Sequence, residues 1–165
     1  MKLYTIPALA LLACIPACLS AQNPSFDTNK KISNAKPATI RANHVALYVT
    51  NLATSTRFYQ ELIGLDTIPE PFHDKKHTWF SIGGMAHLHL IQGRTTEPVP
   101  SKNSHICFST SRLDELIKTL NRENIPFEDW AGNPAGVTRR VDGVRQIYFK
   151  DTDGYWIQIN DDFQP

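Results

Sequence analysis

Cysteine is nearly missing from this chain, and what there is cannot cross-link it. Of three cysteines in 165 residues, Cys14 and Cys18 fall in one apolar run near the N-terminus and only Cys107 lies beyond it. Loss of that run leaves no pair to oxidise, which excludes a disulfide scaffold while tolerating an oxidising compartment. An excess of either charge is missing too, since 17 basic residues face 16 acidic ones. Removing residues 1–21 takes away one lysine and no acid, leaving 16 of each. A neutral chain has no electrostatic case for nucleic acid as a partner. Nor is there a good membrane span, because the run Leu3 to Leu19 is broken by Pro7 and Pro16. It follows Lys2 and leads into Ser20-Ala21-Gln22, the pattern of a secretory signal peptide over 1–21 cleaved after Ala21. The mature chain is therefore expected to be exported, periplasmic or secreted, with no transmembrane span. Leu11-Leu12-Ala13-Cys14 resembles a lipoprotein cleavage box and offers the alternative of a lipid anchor through Cys14.

What is present is a repeat. Residues 22–42, rich in Asn, Ser, Lys and Pro, have no core of their own and read as a flexible N-terminal tether. Residues 43–163 form one expected domain of two modules, 43–92 and 104–163, parted by a short linker containing Pro98 and Pro100. His44-Val45-Ala46-Leu47-Tyr48-Val49 recurs 61 residues later as His105-Ile106-Cys107-Phe108-Ser109-Thr110. Ala86-His87-Leu88-His89-Leu90 recurs 69 residues later as Tyr155-Trp156-Ile157-Gln158-Ile159. Between these runs lie helical stripes. One is Leu52, Ser55, Phe58, Tyr59, Leu62 and Ile63, ended by Gly64; the other is Leu113, Leu116, Ile117 and Leu120, capped by Ser111 and ending near Asn124. Further strands are expected around 65–68, 78–82 and 86–92, and around 127–130, 145–150 and 155–159, so each module runs βαβββ.

Strand alternation gives the candidate site. Val45, Leu47 and Val49 oppose His44, Ala46 and Tyr48, while Leu88 and Leu90 oppose His87 and His89. The second module repeats this, with His105, Cys107, Ser109, Trp156, Gln158 and Asn160 on the mixed face. One face of every such strand is apolar, for the helices. The other collects three histidines and a glutamine, a composition suited to a concave ligand-lined cavity.

These phrases, with Phe58-Tyr59 before Leu62-Ile63-Gly64-Leu65 and with Phe149-Lys150-Asp151-Thr152-Asp153-Gly154-Tyr155-Trp156, resemble the vicinal oxygen chelate superfamily. That superfamily holds glyoxalase I, fosfomycin-resistance enzymes, extradiol dioxygenases and bleomycin-binding proteins. The resemblance implies an α+β fold in which two βαβββ modules form a cup-shaped eight-stranded mixed sheet around one divalent metal. Carried over by position, the ligands are His44, His89, His105 and Gln158. The departure is at Gln158 and His89, since catalytic relatives commonly place carboxylates there. Three neutral histidines and an amide leave the ion (Zn, Ni, Fe or Mn) its full charge, so a metal-bound water is the expected base in place of a carboxylate.

Other residues carry sharper and blander readings together. His87 points into the cup beside His89 and is a candidate support for catalysis or substrate contact, as is Gln158. Tyr48, Trp79, Trp156 and Arg145 are candidate substrate-pocket residues, Arg145 as a carboxylate clamp; for Arg139, Arg140 and Arg145 the blander reading is surface placement. His73 and His77 read as solvated, Cys107 as a small packed thiol, and Asp151-Thr152-Asp153-Gly154 as a hairpin turn, since no downstream glutamate completes a calcium loop. The leading expectation is an exported, metal-dependent glyoxalase-like lyase or isomerase on a small substrate that chelates through vicinal oxygens, assembled as a homodimer. The alternatives are a metal-independent small-molecule binding protein and a ring-cleaving dioxygenase.

Overall fold

Alternating runs become strands and striped runs become helices in the expected order. The computed structural model describes residues 40–96 and 101–164. The expected signal peptide, Cys14, most of the expected tether and the middle of the linker lie outside the described residues. The first module is β1 (His44–Val49), α1 (Leu52–Arg57), β2 (Thr67–Ile68), β3 (His77–Ser81) and β4 (His87–Gln92). The second is β5 (His105–Ser109), α2 (Leu113–Arg122), β6 (Phe127–Glu128), β7 (Thr138–Arg139), β8 (Arg145–Lys150) and β9 (Trp156–Asn160). The strands divide between two mixed sheets, in the orders β1-β4-β3-β2 and β5-β9-β8-β6, with β7 added along β8. β1 runs parallel to β4 and β5 parallel to β9, with His44 opposite His87 and His105 opposite Trp156. The eight expected strands are thus present, and a ninth, β7, adds a two-residue hairpin arm to the second module.

Two details of the helices differ from the expectation. α1 runs on into a π-helical turn, Phe58–Ile63, which ends at Gly64 in the left-handed region with φ 85°. The N-cap of α2 is Arg112, not Ser111; it makes no side-chain capping bond, and Thr110 Oγ1 accepts from the Arg112 N–H at 3.1 Å. Asp114 and Glu115 in the first turn face the positive end of the helix, where a cap would have helped.

The apolar face of each sheet meets the helices in one core. Leu47, Val49, Phe80, Leu88 and Leu90 from the first sheet join Ile147, Phe149, Ile157 and Ile159 from the second, with Tyr59, Leu113 and Leu120 from the helical segments. The turn between β8 and β9 fastens the modules. Asp153 accepts from the Thr50 N–H and the Ser55 hydroxyl, both at 2.7 Å, and Asp151 accepts from the Tyr59 hydroxyl at 2.7 Å. Arg94 lies 3.6 Å from the Asp153 carboxylate. These carboxylates are buried, so their partners are what make the burial tolerable. The turn itself closes with Gly154 N–H on Asp151 O at 3.1 Å, as a hairpin.

Candidate metal centre

The face of each sheet turned away from the core carries the polar residues. On the first, the His89 imidazole is sandwiched: Trp79 lies parallel to it at 3.9 Å and 4°, and His44 at 4.3 Å and 11°. His87 sits beside both Trp79 and His89, at 6.3 and 5.9 Å between ring centres. His89 is 8% exposed, and its Nε2 is buried with no hydrogen-bond partner. Burial first, then the nearby His44, His87 and His77, holds its pKa below the ordinary histidine value, so it stays neutral and keeps a free lone pair.

The second face is a hydrogen-bonded polar layer. Gln158 Nε2 donates to Gln146 Oε1 at 3.1 Å, and Gln146 Nε2 donates to the Tyr148 hydroxyl at 2.6 Å. Gln158 is thereby turned so that its own oxygen is the end left over. His105 packs edge-on to Tyr148 at 5.7 Å. Burial raises the Tyr148 pKa, which keeps its proton available to donate.

His44 and His105 share one feature besides their repeat position. His44 Nδ1 donates to Asn43 Oδ1 at 2.7 Å, and His105 Nδ1 donates to Lys102 O at 2.7 Å. In each, the anchored Nδ1–H fixes the tautomer and leaves Nε2 as the basic nitrogen, the arrangement that orients imidazoles toward a metal. The donor types suit a divalent ion, with anchored His44 and His105, an unpartnered buried His89 and an amide oxygen on Gln158, but the stacked His44 and His89 rings do not converge on one point. The fit is in halves. Among the described residues, no group of three or more His, Cys, Asp or Glu is placed to hold a metal. No ring contact, hydrogen bond or ion pair among them joins the His44–His89 face to the His105–Gln158 face. A cleft of about 1060 Å³ opens beside β5, between Leu62, Leu65 and Leu116, and none of the four candidate ligands lines it.

The remaining candidates sort by strand face. Trp79 and Trp156 lie on the ligand faces, and both indole N–H groups are buried without partners. Lys102 and Lys150 place ammoniums 5.2 and 5.0 Å from the Trp156 ring. Tyr48, half exposed, donates from its hydroxyl to Gly93 O at 2.5 Å. Gly93 has φ 132°, a conformation that favours glycine, and an added Cβ would lie 2.6 Å from that hydroxyl. Arg145 is a correction: it shares the helix face of β8 with Ile147 and Phe149, and grips Asp114 and Asp161 at 2.8 Å each. Its guanidinium is spent on fastening α2 and the C-terminal segment, on the far side of the sheet from the histidines. His73 is exposed, whereas His77 lies on the ligand face of β3 and bonds Asp74 at 2.9 Å. The expectation overlooked Gln146 and Tyr148. Strand phase would have found both, since they alternate with Ile147 and Phe149.

Two βαβββ modules, each with polar residues on the sheet face turned away from the core, define a protein of the paired-module α+β class. The chain belongs to the Glyoxalase/Bleomycin resistance protein/Dioxygenase superfamily, whose sequence model matches residues 41–159. The metallothiol transferase FosB of Staphylococcus haemolyticus (strain JCSC1435) is 25% identical over 127 residues, covering 72% of this chain and 81% of the relative. A glyoxalase/dioxygenase structure from Nostoc punctiforme matches with TM-score 0.63 at 22% identity, covering 79% of this chain and 99% of that one. Lactoylglutathione lyase from Agrobacterium tumefaciens matches with TM-score 0.55 at 21% identity, covering 77% and 96%. These structural likenesses establish the fold.

Proposed function

We propose that the chain is an exported, metal-dependent enzyme of the glyoxalase-like lyase or isomerase kind, acting on a small substrate with two neighbouring oxygens. The observation that carries this reading is the matched anchoring of His44 and His105 through Nδ1. A divalent ion held by His44, His89, His105 and the Gln158 oxygen supplies Lewis acidity toward the paired oxygens. The chain's own residues do the rest. Trp79 keeps the His89 ring in one plane, Tyr148 offers a hydroxyl proton to negative charge developing on the substrate, and Gln146 holds both Tyr148 and Gln158 in place. The half-buried His87 is the nearest group able to accept a carbon-bound proton, since neither face carries a carboxylate in that position. The name of the metallothiol transferase FosB supports metal-assisted chemistry, and that of the lactoylglutathione lyase a small-molecule substrate.

The two half-sites are complementary across a homodimer. β1 and β5 are the unpaired edges of their sheets, and each carries one anchored histidine. Laying β1 of one chain along β5 of a second brings His44 and His89 opposite His105 and Gln158. The test is metal analysis of the mature protein from its native compartment: close to one divalent ion per chain is expected. Retention of that ion by the doubly substituted His44→Ala/His105→Ala protein would overturn the reading.

A second reading has its own observation. The nearly parallel His44 and His89 rings direct their in-plane lone pairs along separate planes, which suits a flat guest more than a shared ion. A metal-independent binding protein would keep its ligand affinity after exhaustive chelation, and the enzyme would not.

A further inference from the structure

The structure assigns to Lys102 a positioning role: its side chain fastens the linker turn whose backbone carbonyl sets the His105 imidazole. What His105 does once set rests on the metal-dependent reading; the positioning itself does not. The two modules anchor their first histidines differently. In the first, the anchor is the side chain of the preceding residue, Asn43, so His44 has its restraint beside it. At the same repeat offset the second module has Ser104, and the His105 Nδ1 bond goes instead to the Lys102 carbonyl. A main-chain carbonyl orients a ring only as firmly as its own segment is held. Lys102 lies in a turn closed by the Ser104 N–H on Ser101 O at 2.9 Å, and connecting segments run over the surface with few contacts to fix them.

This turn is fixed by one side chain. The Lys102 ammonium donates to Asp129 O at 3.0 Å and to Trp130 O at 3.2 Å, and pairs with the Glu128 carboxylate. Three acceptors meet the three N–H bonds of an ammonium. The post it is tied to is itself braced, since Asp129 grips Asn133 at 2.9 and 2.7 Å and the Trp130 N–H donates to Thr138 Oγ1 at 2.7 Å. A lysine serving only solubility keeps its ammonium in water, whereas this side chain is 17% exposed. It also passes 5.5 and 5.2 Å from the rings of Tyr148 and Trp156, the two aromatics that flank His105. Trp156 is the partner of His105 across the β5–β9 pair, and Tyr148 meets the imidazole edge-on. Lys102 therefore joins the ring's anchor to the ring's walls.

The test reads the tautomer directly, by long-range proton–nitrogen correlation of the imidazoles in the metal-free protein, in mildly alkaline buffer where they are neutral. His105 of the unaltered protein should carry its proton on Nδ1. Lys102→Met keeps the stem and removes the ammonium, and should move the His105 proton to Nε2 while His44, with its own anchor, is unchanged. The Glu128 side chain is 30% exposed and can turn to water, so the fold, checked by circular dichroism, survives. Adding Ser104→Asn gives the second module the anchor that Asn43 gives the first, and should return the proton to Nδ1. A proton that stays on Nδ1 in Lys102→Met would overturn the inference. So would a shift that Ser104→Asn fails to reverse, because Lys102 would then act on the fold and not through the ring's anchor. In metal titration Lys102→Met should lose about 10- to 100-fold in affinity, regained with Ser104→Asn. A shifted tautomer with no effect on metal uptake, or no uptake by the unaltered protein, would refute the metal reading of His105 and leave the positioning by Lys102 upheld.

Discussion

The charge of the proposed centre is decided at Gln158. A carboxylate there would cancel part of the ion's charge at contact distance, an attraction that outweighs the loss of the Gln158-to-Gln146 hydrogen bond. Gln158→Glu should therefore tighten metal binding by about tenfold or more in a chelator-competition titration, whether or not activity rises. Unchanged affinity, with His89→Ala abolishing binding, would place the amide outside the ion's coordination. Asn43 acts one bond further out: Asn43→Ala frees the His44 ring and should weaken metal affinity roughly 10- to 100-fold without unfolding the chain. The histidines were legible because repeat and strand phase are local periodicities. The Gln146–Tyr148–Gln158 layer was not, since it exists only once β8 registers against β9. The place of Arg145 follows from its strand phase, shared with Ile147 and Phe149, and not from its charge. Its pairing with Asp161 has a pH signature. The guanidinium and the Arg145 backbone N–H hold the Asp161 pKa below the usual aspartate value, so the folded state binds fewer protons than the unfolded one. The contribution is complete above the ordinary aspartate pKa and is lost as pH falls through the depressed folded one. Asp161→Asn should cost about 1 kcal/mol in urea unfolding at neutral pH, and the difference from the unaltered protein should shrink in acid.

Among the elements, the first helical segment strains the reading of periodicity most. Its stripe is consistent with ordinary helix spacing, yet the chain widens into a π-helical turn over Phe58–Ile63. The physical reason lies outside the segment. Ser55 and Tyr59 must both bond buried carboxylates on the β8–β9 turn, and Phe58 must pack on Phe149 at 6.3 Å, constraints set by the other module. Sequence spacing alone carries no trace of them. The end of the segment was legible, because Gly64 with φ 85° closes it where only glycine is unstrained. An added Cβ there meets nothing within 4 Å, so the cost of substitution is purely of the backbone. Gly64→Ala should lower unfolding free energy by about 1 kcal/mol, and Gly64→Asn by less, measured by chemical denaturation. Equal losses for both would mean that side-chain contacts, not φ, set the penalty. The bounds of α2 are legible in its sequence because its stripe is local and includes its two buried leucines, Leu113 and Leu120.

At the scale of the whole molecule, the core faces and the ligand faces behave oppositely. The apolar faces of the two sheets are brought together within one chain, sealed by Asp151 and Asp153 against Tyr59, Ser55 and Thr50. The ligand faces are left apart, and on β1 the residues His44, Ala46 and Tyr48 are all exposed. A repeat that places matched ligands on both modules, joined back to back by the core, completes its centre most simply with a second copy related by a twofold axis. The proposed dimer makes a quantitative statement about mixtures. In His44→Ala the second module is intact, and in His105→Ala the first module is intact. When the two variants are co-refolded, half of the dimers are mixed, and each mixed dimer holds one centre with both defects and one with neither. About one quarter of all centres should then bind metal with the affinity of the unaltered protein, although neither variant alone has any such centre. If each centre were built within a single chain, every centre in the mixture would carry one defect, and titration of the co-refolded sample would reveal no high-affinity fraction.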